Sequence, residues 1–244
     1  MDALTTAVLF FVVLWLASAT QVLTGFGFGL VALAVVGAWL DLRDAVLVIA
    51  PAGLVLNVAL FIRFRKEFSF EGVVPLLISC LIGVPFGVWL LWSLGVRSLR
   101  VVLGVMMIAT ALHRFWMLHR KRQSLWHPIK AGVPLGFLSG VLGGAFGAGG
   151  PPVVSYLVNR PVNRFCYVAT VQVAAGIASV VRLGQFAVAG RYEQVDATVL
   201  AVSVVAAIAG LWTGGYFLQK ISEEGSKRAI LIFLLLGGVY YLIF

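Results

Sequence analysis

The residues best placed to bind a ligand are one arginine and two glycine-rich segments, all within long apolar stretches. Arg182 is flanked by the largely apolar residues 174–181 and 183–189. An arginine inside a membrane span costs about 3 kcal/mol even on insertion scales, so it is a candidate functional residue by default. Two alternatives are that Arg182 snorkels to the interface or is paired with a neighbour for structural reasons.

Glycine and proline predict a helix break in each of the two segments. The first reads QVLTGFGFG from Gln21 to Gly29, and the second reads GGAFGAGGPP from Gly143 to Pro152. Within a helix, glycine costs about 1 kcal/mol and proline about 3 kcal/mol relative to alanine. Broken helices survive at membrane depth only where protein or a watery cavity satisfies their backbone, and their free N–H groups attract anions. The alternative is that these glycines only permit close helix packing.

Uncharged polar side chains accompany these segments inside the predicted spans. Gln21 and Thr24 adjoin the first glycine break, and Gln172 precedes Arg182 on the same predicted helix. Each of these side chains is equally able to hydrogen-bond a neighbouring helix. The candidate substrate-binding residues are Gln21, Thr24, Gly25, Gly27, Gly29, Asn57, Gly147, Gly149, Gly150, Pro151, Gln172 and Arg182.

The acidic residues restrict the kind of ligand that the core can bind. All of them lie in predicted loops or at span ends: Asp2, Asp41, Asp44, Glu67, Glu71, Glu193, Asp196, Glu223 and Glu224. The core therefore lacks the carboxylates of a familiar cation cage or proton relay, and the expected cargo is anionic. No cofactor and no metal site are predicted. A coupling Na⁺ would have to bind backbone carbonyls at the broken helices.

The composition places these residues in an integral membrane protein. Hydrophobic residues make up 61% of the 244 and charged residues 11%, against roughly 45–50% and about 25% in soluble domains. Several blocks reach the ~20 residues that cross a bilayer. The plainer predicted spans are 45–64, 72–94, 100–118, 164–190, 195–219 and 228–244. The net charge of +9 is scattered over short connecting segments, which favours membrane orientation signals over nucleic-acid binding.

A weak internal repeat divides the chain into two membrane halves. The matched landmarks, in order, are FGFG at 26–29 with FGAG at 146–149, Arg63 with Arg182, Gly83 and Gly87 with Gly210 and Gly214, and SLR at 98–100 with SKR at 226–228. This order predicts a first repeat over 1–118, a polar cytoplasmic linker over 119–130, and a second repeat over 131–244.

The basic residues indicate how each half crosses the membrane. If the glycine-rich opening region of each half crossed once, lysine and arginine would be divided almost evenly between the two sides. If each opening region returns to its starting side, most of them lie on one side, as the positive-inside rule requires. The predicted fold is therefore an all-α polytopic membrane protein of two inverted repeats, each with a glycine-broken hairpin or re-entrant helix pair plus three transmembrane helices. Both termini are predicted outside the cytoplasm.

At the glycine-rich segments the chain resembles the TauE/SafE family of sulfite and organosulfonate exporters. The resemblance covers nearly the whole length and is carried by TGFGFG at 24–29 and GAGGP at 147–151. The first half departs from many relatives, with Phe28 and Leu30 where they have consecutive glycines and a proline. The resemblance implies export of sulfite, sulfoacetate or similar small sulfur-containing anions across the cell membrane. It extends to the glycine elements, whereas Arg182 and the glutamines rest on the physical argument.

The leading functional hypothesis is a secondary transporter, a probable exporter, of a small sulfur-containing anion in the cell (inner) membrane. The alternatives are an anion-selective channel, or a carrier of another small carboxylate or zwitterionic metabolite. An enzyme is not expected, because the three histidines lie around the central connector and no carboxylate is predicted in the core. The expected partners are the anionic substrate, a coupling ion that is Na⁺ or H⁺, and the lipid bilayer. No nucleic acid is expected, and the oligomeric state is open, with a homodimer among the alternatives.

Overall fold

The protein is helical throughout its described part. The computed structural model describes residues 3–118, 128–158, 160, 162–193, 195–217 and 223–243. These residues form ten α-helices, one 3₁₀ turn and no strand. The helices are α1 Ala3–Thr24, α2 Phe28–Trp39, α3 Leu42–Phe64, α4 Val74–Ser93, α5 Val96–Leu118, α6 Pro128–Phe146, α7 Gly150–Val158, α8 Arg164–Val188, α9 Ala197–Phe217 and α10 Glu223–Ile243. Residues 119–127, most of the predicted linker, lie outside the described residues.

Six of the described helices are long and apolar enough to cross a membrane. They are α1, α3, α4, α5, α8 and α9. Five of the plainer predicted spans agree with α3, α4, α5, α8 and α9 to within a few residues. The last one corresponds to α10, whose described apolar part, Leu231–Ile243, is shorter. The prediction of an all-α polytopic membrane protein is therefore confirmed.

Each glycine-rich segment breaks its helix. Between α1 and α2, Gly25 and Gly27 have φ of 83° and 111°, and between α6 and α7 Gly147 has φ of 65°. These values lie in the left-handed region, which side chains with a Cβ rarely adopt. The 12 residues of α2 extend only about 18 Å, so α2 is too short to cross a bilayer.

Both short helices fold back toward the start of the long helix before them. Val36 and Leu40, near the end of α2, line the same cavity as Ala7 and Phe10 near the start of α1. In the second half, the Tyr156 ring near the end of α7 contacts Gly132 near the start of α6. Each opening region therefore returns to the end where it began, as the distribution of basic residues predicts.

Each half packs against the first helix of the other half through glycines. A Cβ built on Gly83 or Gly87 of α4 would lie 2.3 or 2.0 Å from a carbonyl oxygen of α6. A Cβ built on Gly210 or Gly214 of α9 would lie 2.4 or 2.9 Å from backbone atoms of α1. The matched glycines thus make equivalent contacts, which supports the predicted repeat.

The helix boundaries correct the sequence alignment of the two halves. α1 ends at Thr24 and α6 at Phe146, and α3 and α8 follow those ends by the same number of residues. On this register, Gly25 rather than Gly27 corresponds to Gly147, and both of these glycines have positive φ. Arg63 lies exposed in the last turn of α3. The prediction that it occupies the position of Arg182 is therefore wrong, because Leu60 takes that place.

The two central helices, α3 and α8, run antiparallel. Phe64 at the end of α3 stacks on Phe165 at the start of α8, with ring centroids 5.7 Å apart. At the other end, Tyr192 just beyond α8 donates a hydrogen bond to the Leu47 carbonyl near the start of α3, at 3.3 Å. Because α3 and α8 are equivalent in the repeat, their opposite directions support an inverted relation, which stays a prediction.

Candidate functional site

The two helix breaks meet inside the molecule and enclose a small cavity. A Cβ built on Gly29 would lie only 2.4 Å from the Gly147 carbonyl oxygen, so the two broken segments touch. The cavity beside them has a volume of about 30 Å³, which holds about two water molecules. Four parts of the chain line this cavity. The first helix break contributes Gln21 and residues 26–30, and the second contributes residues 147, 148, 150 and 151. The central helices contribute Ile49, Gly53 and Asn57 of α3 and Val171, Ala175, Ser179 and Arg182 of α8.

Arg182 is buried and carries an uncompensated charge. Its side chain is 2% exposed, and its Nη1 donates to the Gly143 carbonyl oxygen at 3.0 Å. Among the described residues, its Nε has no hydrogen-bond partner and no acidic side chain lines the cavity. A guanidinium keeps its charge in proteins. Arg182 is therefore held by a carbonyl of the last turn of α6, and its guanidinium faces the cavity with no carboxylate among the described lining residues.

Gln21 joins the first helix break to both central helices. Its Nε2 donates to Asn57 Oδ1 at 2.7 Å and to Gln172 Oε1 at 3.1 Å. Its Oε1 accepts a hydrogen bond from the Phe28 N–H at 3.1 Å, in the first turn of α2. Gln21 thus satisfies a backbone donor that the break leaves without a helical partner.

Asn57 and Gln172 extend this hydrogen-bond network. Asn57 Nδ2 donates to Ser179 Oγ at 3.2 Å, which links α3 to α8 at positions that correspond in the repeat. Gln172 Nε2 donates to the Gly25 carbonyl oxygen at 2.8 Å, inside the break. These polar side chains bond neighbouring helices, as the alternative interpretation held, and they do so around the cavity.

The first turns of two helices also face the cavity. α2 begins after Gly27, whose φ of 111° turns the chain, and Gln21 Oε1 accepts the hydrogen bond of its first N–H group, that of Phe28. α7 begins at Gly150, with Pro151 next in its first turn. The N-terminus of a helix carries a partial positive charge that favours anions. Two helix N-termini and one guanidinium therefore give the cavity a positive potential.

Most of the predicted residues line the cavity, and four do not. Those in its lining are Gln21, Gly27, Gly29, Asn57, Gly147, Gly150, Pro151 and Arg182. Thr24 Oγ bonds the carbonyl oxygens of Thr20 and Phe26, at 2.9 and 2.5 Å. Gly149 accepts a hydrogen bond from Ser139 at 2.7 Å. Together with Gly25 and Gln172, these residues hold the breaks in shape.

Ser179 is the polar lining residue that sequence reasoning missed. The cavity face of α8 contains Ala175, Ser179 and Arg182, and their spacing places them on one side of a helix. Searching upstream of Arg182 at helical spacing would have found Ser179. The apolar lining residues, such as Phe28 and Ile49, had no comparable signal, because apolar side chains also cover the lipid-facing surface.

A much larger cavity opens at one end of the molecule, and it is here called the vestibule. Its volume is about 800 Å³, and α1, α2, the start of α3 and residues within 189–191 and 195–202 contribute to its walls. The walls are mainly apolar, with Asp44, Arg191 and Asp196 as their charged residues. The Arg191 guanidinium lies 3.8 Å from the centroid of the Trp92 ring, which also lines the vestibule.

Three aromatic side chains pack together near Arg182, and one of them, Trp92, lines the vestibule. The Phe186 ring makes edge contacts with Trp92 and Tyr192, each with 6.3 Å between centroids. Phe186 is fully buried, one turn beyond Arg182 on α8. Burial raises the pKa of Tyr192 to about 12, against an opposing effect of the Arg182 charge. The Tyr192 hydroxyl thus stays neutral and donates to Leu47.

A model of the family described as sulfite exporter TauE/SafE matches residues 9–241. This range includes both broken segments, the polar network and Arg182. Neither a curated protein nor a solved structure gives a match to the chain. The family match extends over nearly the whole sequence and agrees with the helical membrane fold. The chain therefore belongs to the sulfite exporter TauE/SafE family of membrane transporters.

Proposed function

We propose that the protein is a secondary transporter that exports a small sulfur-containing anion, sulfite or an organosulfonate, across the cell membrane. The family match supports the class of cargo. The observation that carries the proposal is the buried Arg182 guanidinium, which faces the cavity with no carboxylate in the lining. A buried charge without a counter-ion is unfavourable, so an anion that enters the cavity gains a strong partner.

The cavity chemistry suits an oxyanion. A guanidinium forms strong, directional hydrogen bonds to oxyanions, and the Nε of Arg182 is free for one. The N-termini of α2 and α7 add favourable dipoles. The volume of about 30 Å³ is smaller than any organosulfonate, so the surrounding helices must separate to admit one.

The repeat suggests how the cargo crosses the membrane. We take residues 1–118 and 131–244 as the two units that move relative to each other around the cavity, as in other inverted-repeat carriers. The coupling ion is proposed to be Na⁺ or H⁺. Because no carboxylate lines the cavity, Na⁺ would bind backbone carbonyls at the helix breaks.

Ligand-induced stabilisation of the purified protein tests the anion site. We expect sulfite or a sulfonate to raise the unfolding temperature in detergent, since a ligand at 100 times its Kd adds about 2.7 kcal/mol. Sulfate, chloride, acetate and taurine complete the panel, each with and without Na⁺. Arg182→Gln should abolish the response, and Arg182→Lys should weaken it because a lysine lacks the planar fork.

The matched control is Arg63→Gln, which removes an exposed arginine from the equivalent helix. This variant should respond like the wild type. A normal anion response in Arg182→Gln would reject the assignment of the site.

A transport assay in proteoliposomes distinguishes a carrier from a channel. Saturable uptake with counterflow would identify a carrier, whereas flux without counterflow would indicate a channel.

A further inference from the structure

We propose that Tyr156, Arg160 and the backbone of Gly72 form a gate that closes the end of the molecule opposite the vestibule. We call these three residues the latch. The inference rests on the proposed carrier function and adds to it the conformation of this structure, which has a large cavity at the vestibule end and is closed at the latch.

The latch is a compact hydrogen-bonded cluster between the two halves. Arg160 Nη1 donates to the Gly72 carbonyl oxygen at 2.7 Å and to Tyr156 Oη at 2.5 Å. The Tyr156 hydroxyl donates to the same carbonyl. Gly72 has φ of 67°, and a Cβ there would lie 2.1 Å from the Arg160 guanidinium. The cluster therefore fixes the connection between α3 and α4 to the connection between α7 and α8.

Two further contacts join the same connections. Asn163 Nδ2 donates to Glu67 Oε2 at 3.3 Å, and the rings of Phe64 and Phe165 stack at 5.7 Å. In each pair, one residue belongs to the first half and the other to the second. The halves are thus held together at this end by hydrogen bonds and by aromatic packing.

The equivalent elements at the other end enclose the vestibule. There α2 corresponds to α7, and the connection between α8 and α9 corresponds to that between α3 and α4. Tyr192 and Arg191 of this connection contact Leu47 and Trp92 of the first half, but Leu40 and Gly190 lie on the walls of a cavity of about 800 Å³. Two ends built from equivalent elements therefore differ: a hydrogen-bonded cluster closes one, and a large cavity lies between the halves at the other.

This asymmetry defines a second conformation of the carrier. If the two halves exchange their conformations, the vestibule closes, and the connections that form the latch separate. The cavity beside Arg182 would then be open to the other side of the membrane. The latch hydrogen bonds stabilise only the first of these states, so weakening them shifts the population toward the second.

Cysteine accessibility in sealed vesicles tests the gate without any cargo. In a background with Cys80→Ala and Cys166→Ser, Ala175→Cys places a thiol in the cavity lining and Val48→Cys places one in the vestibule. A membrane-impermeant thiol reagent is added to one side or to the other. Val48→Cys then identifies the vestibule side, so the test assumes no orientation in the membrane.

With the latch intact, the thiol at position 175 should react slowly from the latch side. The combined Tyr156→Phe and Arg160→Gln changes should speed this reaction by at least about tenfold, since they remove the donors of all three hydrogen bonds of the latch. Phenylalanine keeps the buried ring in place. Arg65→Gln, an exposed change at the same end, should leave the rate unchanged.

Unchanged labelling from the latch side in the double variant would overturn the gate. Labelling of Val48→Cys from the vestibule side alone shows that the variant is still folded and the vesicles sealed, and Arg160→Gln alone gives a milder second test. If anions stabilise the wild-type protein but the double variant is labelled at position 175 at the wild-type rate, only the latch is rejected. If the double variant is labelled faster but no anion stabilises the wild-type protein, only the proposed function is rejected.

Discussion

At the scale of single residues, Arg182 is positioned by backbone and not by a counter-charge. The Gly143 carbonyl belongs to the last turn of α6, where the helix carries partial negative charge. This contact orients the guanidinium without neutralising it. A carboxylate in the same place would cancel the charge and compete with an anionic ligand. The site therefore needs a helix that ends beside Arg182, which the break at Gly147 provides.

Gly147 is predicted to be required for this arrangement. Alanine there would adopt an unfavourable φ of 65°, and its Cβ would lie 2.5 Å from Arg182 Nη1. We expect Gly147→Ala to lower stability by about 1–2 kcal/mol and to displace the guanidinium, which weakens the anion response. Thermal unfolding with and without anion measures both effects.

Gly176→Ala is the control for this change. A Cβ at position 176 of α8 has no atom within 4 Å, and alanine favours a helix by up to about 1 kcal/mol. This variant should be as stable as the wild type or more so. Full anion affinity in Gly147→Ala would show that the close contact with Arg182 is unimportant.

At the scale of helices, glycine faces bring α4 against α6 and α1 against α9. Without a hydrophobic driving force between helices in lipid, association depends on close packing of small residues. A Cβ on Gly136 or Gly140 would lie 2.2 or 2.1 Å from the Leu76 or Cys80 carbonyl oxygen. These contacts fix α6, and therefore the break that follows it, at the depth of the cavity.

Gly140→Ala should accordingly destabilise the protein. The added methyl group would force α6 away from α4, and overpacking of this kind costs about 1–3 kcal/mol. Gly184→Ala on α8 is the control, since a Cβ there meets nothing within 4 Å. Thermal unfolding in detergent compares the two. Equal stability of both variants would mean that the α4–α6 contact tolerates more space than the structure indicates.

At the scale of the whole molecule, both ends of the described chain lie toward the vestibule. Ala7 of α1 lines the vestibule. α10 runs antiparallel to α5, because Gly238 lies by Ile108 and Leu242 by Gly104. The end of α10 therefore lies toward the start of α5, just after Leu94. The Arg43 guanidinium, in the first turn of α3, donates a hydrogen bond to the Leu94 carbonyl oxygen at 2.7 Å. The start of α5 thus lies beside the start of α3, which lines the vestibule.

The positive-inside rule predicts that this end faces away from the cytoplasm. The opposite end carries Arg63 in the last turn of α3, Arg65 and Lys66 just after that helix, and Arg160 after α7. Reporter fusions at the two termini should be active outside the cytoplasm, and a thiol introduced at Ser69 should be labelled only from the cytoplasmic side. Reporters active inside the cell would reverse the orientation and, with it, the direction assigned to the vestibule.

The helices and their interruptions follow from local features of the sequence. The length of an apolar block decides whether it crosses a bilayer, and glycine and proline act on the backbone where they stand. The spans around α3, α4, α5, α8 and α9 and the breaks at Gly25 and Gly147 were therefore predictable. The isolated charge of Arg182 was equally visible, because an arginine within an apolar span stands out without any knowledge of its neighbours.

Which of these parts contact one another depends on the folding of the whole chain. Gln21 bonds Asn57 and Gln172, residues far away in the chain, and nothing local to Gln21 indicates those partners. The register that matches Asn57 with Ser179, and separates Arg63 from Arg182, depends on where the helices begin and end. The vestibule and the latch depend on how the two halves pack. Such contacts join residues that are distant in sequence, so their geometry is a property of the folded chain and not of any segment.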